Sequence, residues 1–264
     1  MLVGLGDDCV PQSMATKSES FSSLLNSIAP HHDRSTVFNS FVLLAACALS
    51  AKTREEEYLE EAKRWSKDEL VQFSHVLAAL VIEMEAEPFR DLLGEYYTTN
   101  AQAKGTRERG GEFYTPHHVS FMMARMLAGD VDENSTEPIT MMEPCCGAGG
   151  MILAYASALS GSARRRLRVT AIDINRTACH MCFINTTLWG IPARIHHGNA
   201  LSNEYWASWS NVHLMMPWLA YLVRPESCEA PQTEMPVQGE PASPEEAVAI
   251  TAAVKANQQE FSFA

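Results

Sequence analysis

The chain has 264 residues, 46% of them hydrophobic and 20% charged, which is ordinary for a globular protein with one sizeable core and a smaller appended region. Its formal net charge of −12 argues against a chain that grips a nucleic-acid backbone without help. The best membrane-span candidate, residues 37–49, is too short for a bilayer, and no basic flank with an apolar stretch begins the sequence. We therefore expect a cytoplasmic protein with no secretory signal.

The cysteines favour free thiols. They are seven in number, and Cys145 and Cys146 are adjacent, which argues against a disulfide framework. Cys179 and Cys182 form a Cys-x-x-Cys pair, but no second pair stands at the spacing of a zinc site. We interpret this pair as small buried residues of a helix and predict no metal site.

The first part of the chain is predicted to be helical after a flexible start. Residues 1–34 are rich in Ser, Asp and small residues, and 35–110 form a helical region. Ser66 followed by Glu69 is a capping box, and apolar residues then recur at helical spacing until Pro88, which marks a stop. We interpret the apolar stripe as core or partner-facing surface; it consists of Leu70, Phe73, Leu77, Leu80 and Met84.

The next region, 111–224, alternates strand and helix patterns. A glycine-rich turn follows the first strand, and helical patterns follow the first and second strands. This order is typical of an α/β fold with a doubly wound, mostly parallel sheet. The four short apolar runs that predict strands are 139–142, 168–172, 193–197 and 212–216.

Charge is unevenly distributed along the chain. The tail, 225–264, is acidic and rich in Pro and Glu, with a helical pattern over 244–257. A basic set in the middle of the chain is interpreted either as a solvated face or as a nucleic-acid contact. It consists of Lys104, Arg107, Arg109, Arg164, Arg165, Arg166 and Arg168.

The glycine-rich turn and the end of the second strand predict a nucleotide-binding site. Gly147, Gly149 and Gly150 allow a ligand to approach the backbone closely at the start of a helix. Asp173 ends the second strand, where a carboxylate can accept both hydroxyls of a ribose. The spacing from Gly147 to Asp173 suits one strand–helix–strand unit. The alternative is a structural glycine turn beside a helix-capping Asp.

Three further motifs stand in a fixed order along the chain: 111–116 (Gly-Glu-Phe-Tyr-Thr-Pro), 143–150 (Glu-Pro-Cys-Cys-Gly-Ala-Gly-Gly) and 171–175 (Ala-Ile-Asp-Ile-Asn). Together they resemble the gamma class of N6-adenine DNA methyltransferases, and more narrowly the modification subunits of type I restriction systems. The resemblance implies a Rossmann-like methyltransferase core with S-adenosylmethionine as its cofactor. It also implies further strands after Trp218, for which the remaining sequence is too short, so we expect an incomplete sheet.

The resemblance assigns cofactor-binding roles residue by residue. Glu143, Gly147 and Gly149 would hold the methionine moiety, Asp173 would accept the ribose hydroxyls, and Ile174 would pack on the adenine ring. The residues flanking the methionine end would be Phe113, Thr115 and Pro116.

Two further motifs depart from the family pattern. Asn199 stands before Ala200 where the family has an acidic residue that accepts from the cofactor's exocyclic amine, and its amide oxygen can still accept. The catalytic slot, which in the family begins with Asn or Asp followed by two prolines and an aromatic residue, begins here at Met215. Pro217 would still shape the turn and Trp218 would stack on a flipped base, but a thioether is a weak acceptor for the target amine.

These observations leave three hypotheses. The first is a cofactor-binding protein of the DNA adenine-N6 methyltransferase type, active or derived from an active enzyme. The second is a catalytically inactive subunit or scaffold that pairs with another methyltransferase or DNA-processing protein. The third is methylation of a protein or another amide or amine acceptor. Under the first two we expect DNA to be reached with or through a protein partner or a second copy, which would also cover the sheet edge.

Overall fold

The N-terminal part of the structure is helical, as the sequence predicts. A computed structural model describes residues 20–101, 114–129, 131–132 and 134–216 of the chain. The first elements are α1 (Phe21–Ser27), α2 (Arg34–Ala48), α3 (Glu55–Ala62), α4 (Lys67–Ala86), α5 (Leu92–Tyr96) and a π-helical turn at Tyr97–Ala101.

The first helix begins inside the segment for which the sequence predicts flexibility. Ser20 caps α1 by accepting from the Ser23 amide at 3.2 Å. Phe21 is buried, with its ring centroid 5.8 Å from that of Phe41 and 5.5 Å from that of Tyr96. A helix this short is not stable through helix propensity alone, so the burial of its apolar side chains against the following helices stabilises it.

Helix α4 follows its sequence pattern closely. The capping box is confirmed, because the Glu69 amide donates to the Ser66 hydroxyl and the Ser66 amide donates to Glu69 Oε2. The helix ends at Ala86, just before Pro88. Of the predicted stripe, Phe73, Leu80 and Met84 are buried, and Leu70 and Leu77 pack partly buried against the same core.

The second part of the structure is a Rossmann-like sheet in the order β1-β2-β3-β4. The first two strand pairs are parallel, and β3 pairs with β4 in antiparallel orientation. Three of the predicted strands are confirmed with boundaries shifted by a few residues. The elements are α6 (His117–Ala128), β1 (Ile139–Glu143), α7 (Gly150–Ala158), α8 (Gly161–Arg166), β2 (Leu167–Asp173), α9 (Arg176–Leu188), β3 (Ala193–Asn199), β4 (Glu204–Ser210) and α10 (Val212–Met215).

The predicted fourth strand at 212–216 is wrong. This apolar run forms the helical turn α10, and the fourth strand precedes it at Glu204–Ser210. Asn211 explains the difference: its side-chain oxygen accepts from the Leu214 amide at 3.1 Å, which starts a helix, and its side-chain amide donates to the Ile191 carbonyl at 2.7 Å. The hairpin turn before β4 includes Asn203 at a φ of 59°, a conformation that asparagine tolerates.

A buried cationic contact joins β4 to the helical region. The guanidinium of Arg54, just before α3, lies 4.4 Å from the ring centre of Trp209 on β4. Its Nη2 also lies 3.0 Å from Nε2 of the buried His180 on α9. Burial lowers the pKa of His180 well below its ordinary value, so the imidazole is neutral and accepts from the guanidinium. The β3–β4 hairpin is thereby held against the rest of the fold.

The helices and the sheet share one apolar core, to which the helical region contributes Phe38 and Leu80 and the sheet Ala171 and Ile195. The described residues belong to one compact unit. The predicted acidic tail and its C-terminal helix lie outside the described residues. In the part of the chain that the structure describes, no helix combines the length and hydropathy needed to cross a membrane.

Candidate functional site

The glycine-rich loop and Asp173 meet at the carboxyl edge of the sheet. Glu143 ends β1 and Asp173 ends the adjacent parallel strand β2, so both side chains lie at the same edge. The Gly147 amide donates to Asp173 Oδ2 at 2.8 Å, and the Asn175 amide donates to Oδ1 at 2.8 Å. These two contacts fix the orientation of the carboxylate whose role the sequence predicts. An ionised carboxylate offers about four acceptor positions.

Two positions in the loop require glycine. Gly147 has a φ of +51° and Gly149 a φ of +91°, both in the left-handed region. A Cβ atom on Gly147 would lie 3.1 Å from Cε1 of Tyr114, and one on Gly149 would lie 3.2 Å from Sγ of Cys182. The loop therefore packs between the ring of Tyr114 and helix α9.

Glu143 adds a second carboxylate to the same edge. The Cys145 amide lies 3.4 Å from Glu143 Oε1 in hydrogen-bonding geometry. Burial raises the pKa of Glu143, and the negative charge of Asp173 raises it further. Two neighbouring carboxylates of this kind create a local negative potential that favours a cationic ligand.

Two aromatic side chains lie beside this edge: Tyr97 from the helical region and Tyr114 from the segment before α6. The Asn175 side-chain amide donates to the hydroxyl of Tyr97 at 3.0 Å, and Tyr97 packs edge-on against Tyr114 with ring centroids 5.8 Å apart. In the segment 113–116 it is thus Tyr114 that reaches the glycine loop. Thr115 is exposed, and Pro116 is exposed and precedes α6. Phe113 lies outside the described residues.

A polar pair behind the loop is absent from the sequence-based site. The Asn185 side-chain amide donates to the Ala148 carbonyl at 2.8 Å and to Asp91 Oδ1 at 2.9 Å. Asp91 Oδ1 also accepts from the Gly94 amide at 2.9 Å. Burial raises the pKa of the Asp91 carboxyl to about 6. The helix-capping position of Asp91 is a signal that the sequence offers, but nothing in the sequence links it to Asn185.

The predicted adenine-side residues lie at the carboxyl ends of β2 and β3. Ile174 follows Asp173 and is 63% exposed, so its side chain is accessible to a ligand. Asn199 ends β3, and its side-chain oxygen accepts from the Leu201 amide at 2.9 Å, so the structure uses this oxygen to form the turn. Ala200 lies in that turn.

Met215, the first residue of the predicted catalytic slot, does not join this group. Met215 ends α10. The residue that caps this helix, Asn211, lies beside the start of β3, because its backbone amide donates to the Ala193 carbonyl at 3.0 Å. Ala193 begins β3, whereas Asn199 ends it, and these ends of a seven-residue strand are roughly 20 Å apart. The antiparallel β4 returns the chain to the amino edge, so Met215 lies far from Asp173. Pro217 and Trp218 lie outside the described residues.

The described cysteines are free thiols. Cys179 and Cys182 are buried in α9, as predicted, and burial raises the pKa of Cys179 far above its ordinary value. Among the residues that the structure describes, no group of three or more His, Cys, Asp or Glu side chains is arranged to hold a metal ion.

Comparison with known proteins identifies the region that contains this site. A family described as N-6 DNA Methylase matches residues 89–224, just over half of the chain. The methylase subunit of the type I restriction enzyme EcoEI from Escherichia coli is 26% identical over 138 residues, which cover 48% of this chain and 27% of that subunit. The MpnII methylase subunit from Mycoplasma pneumoniae is 25% identical over 132 residues, covering 47% of this chain and 24% of the subunit. The matched segment thus spans about a quarter of each relative's length.

Proposed function

We propose, because this chain belongs to the N-6 DNA methylase family, that it binds S-adenosylmethionine at the carboxyl ends of β1 and β2 and serves methyl transfer to N6 of adenine in DNA. One observation carries the proposal: the Gly147 amide and the Asp173 carboxylate are joined at 2.8 Å. A tight glycine bend beside a carboxylate at the next strand end is what a ribose and its linked chain require.

The residues present fit this cofactor. Gly147 and Gly149 adopt positive φ and carry no side chain, so a ligand can approach the loop backbone closely. Asp173 would accept the ribose hydroxyls, and Ile174 would contact the adenine, with Asn199 and Ala200 near its exocyclic amine. The methionine end would be held by Glu143 and by the segment containing Phe113, Thr115 and Pro116.

Charge supports the same assignment. S-adenosylmethionine, when bound, supplies an electrophilic methyl group on a positively charged sulfonium, and its methionine end carries an ammonium group. Glu143 and Asp173 repel each other, which contributes to the raised pKa of Glu143. A cationic ligand between them relieves that repulsion and keeps both carboxylates ionised.

Cofactor binding is tested directly by calorimetry. We expect S-adenosylmethionine to bind the full chain and Asp173→Ala to weaken binding at least tenfold, because the ribose loses its acceptor. Asp68→Ala, which removes an exposed carboxylate from the first turn of α4, is the matched control and should leave affinity unchanged. Absence of any binding heat at millimolar cofactor would refute the proposal.

The transfer step is tested separately. Labelled methyl transfer to unmethylated DNA should exceed transfer to DNA already methylated at adenine N6, and it decides between the enzyme and an inactive cofactor-binding subunit.

In the described part of the sheet, β1 has a strand neighbour on one side only, and Met142 on β1 is 64% exposed. We therefore propose that a protein partner or a second copy completes this edge and helps to bind DNA, and that the complex acts in restriction–modification in the cytoplasm. Light scattering of the chain with and without DNA checks for that assembly.

A further inference from the structure

The β3–β4 hairpin contains an irregularity that none of the predicted site residues explains. His197 pairs with Ala207 and Gly198 pairs with Tyr205, so Trp206 is an extra residue between the two pairs. A Cβ atom on Gly198 would lie 2.1 Å from the Glu204 carbonyl oxygen, so only glycine allows β4 to approach here. Bulges of this kind redirect a side chain and are frequent next to binding sites.

The bulge directs Trp206 towards the carboxyl edge of the sheet. Its ring lies edge-on to His197, with centroids 4.9 Å apart and planes at 76°. His197 Nε2 lies 3.2 Å from the Ile174 carbonyl oxygen, and because a carbonyl only accepts, the imidazole nitrogen is the donor. His197 also stands opposite Asp173 in the strand register. A continuous line of contacts therefore runs from the indole to the ribose-binding carboxylate.

The end of β2 and the bulge in β4 expose two large apolar side chains. Trp206 is 56% exposed and Ile174 is 63% exposed. The hairpin is also held in place, because Trp209 three residues later packs under the Arg54 guanidinium. Exposed apolar side chains on a fixed scaffold, beside a carboxylate, are characteristic of a binding surface for a flat ring.

We infer that Trp206 forms one wall of the adenine pocket of the cofactor, with Ile174 as the other wall and His197 fixing their separation. The inference rests on the proposed function, since it takes the ribose to be held by Asp173. A purine attached to that ribose lies beside Ile174, and stacking on an indole is tolerant of exact ring placement. A purine ring could also come from DNA, and the test separates the two sources.

The test is a set of binding measurements on full-length variants whose folding is checked by circular dichroism. Trp206→Ala should weaken S-adenosylmethionine binding roughly tenfold to a hundredfold, the range that loss of one aromatic–base stack produces. Trp206→Phe keeps a stacking ring and should stay within about threefold of the unchanged protein. Tyr205→Ala is the matched control, because that neighbouring ring packs on His196 instead, with centroids 4.5 Å apart.

Ligand fragments make the result specific. Adenosine should lose affinity for the Trp206→Ala variant by the same factor as the whole cofactor, whereas methionine alone should bind all variants equally. If Asp173→Ala weakens the cofactor and Trp206→Ala does not, the inference is overturned while the proposed function stands. Failure of every protein to bind the cofactor overturns both. If Trp206→Ala loses affinity only for an adenine-containing single-stranded oligonucleotide, the indole serves the DNA base and the inference is wrong.

Discussion

The carboxyl of Asp91 provides a direct test of the polar pair behind the glycine loop. Burial raises its pKa from 3.8 to about 6, although the Gly94 amide and the Asn185 side chain both donate to it. Asp91→Asn removes the ionisable group and retains a side-chain oxygen that can accept from both donors. The variant therefore isolates the cost of holding a negative charge at this position.

The sign and size follow from the two pKa values. Because the folded protein binds this proton more tightly than the unfolded chain, the stability that the group contributes is fully present below about pH 3.8 and is lost as the pH rises through 6. At about 1.4 kcal/mol per pKa unit, the loss between pH 4 and pH 7 is about 2 kcal/mol. We expect Asp91→Asn to gain stability relative to the unchanged protein by that amount over this pH range.

Urea unfolding followed by circular dichroism at pH 4, 5.5 and 7 measures the difference between the two proteins, in which the titration of all other groups largely cancels. Asp68→Asn is the control, because that exposed carboxylate stays in water in both states. If the stability difference for Asp91→Asn is the same at pH 4 and pH 7, the carboxylate is not desolvated and the reasoning is wrong.

Two further predictions concern the loop and the catalytic slot. Gly149→Ala should cost about 1–3 kcal/mol of stability, because alanine is strained at a φ of +91° and its Cβ would press on Cys182. The same substitution should weaken cofactor binding, and urea unfolding and calorimetry measure the two effects. A variant with unchanged stability and affinity would contradict the described loop conformation. Met215→Asn should not create or raise methyl transfer to DNA, because Met215 lies at the amino edge of β3; a labelled-methyl assay showing a clear gain would place this residue in the reaction centre after all.

The site uses its residues in two different ways. Asp173, Gly147 and Glu143 lie at the sheet edge, whereas behind the loop Asn185 donates to both the Ala148 carbonyl and Asp91. Substitutions in the second group act through the loop, so they should change cofactor affinity and stability together. Substitution of Asp173 changes a group that would contact the cofactor itself.

The sequence by itself determined those features of the protein that depend on residues close together in the chain. The capping box of α4, the left-handed glycines and the acidic residue at the end of β2 depend on neighbouring residues or on one strand–helix–strand unit. These features are local, and the meeting of Gly147 with Asp173 follows from them because adjacent parallel strands end at the same edge.

The tertiary structure alone decided the contacts between distant parts of the chain. Asn185 reaches Ala148 across 37 positions, and β4 turns back along β3, which carries Met215 away from the carboxyl edge of the sheet and brings Trp206 towards that edge. An apolar run such as 212–216 fits a strand or a helix equally well, and the capping and cross-strand hydrogen bonds of Asn211 made the choice. Such choices depend on which partners are within reach after the chain has packed, and no local pattern records that.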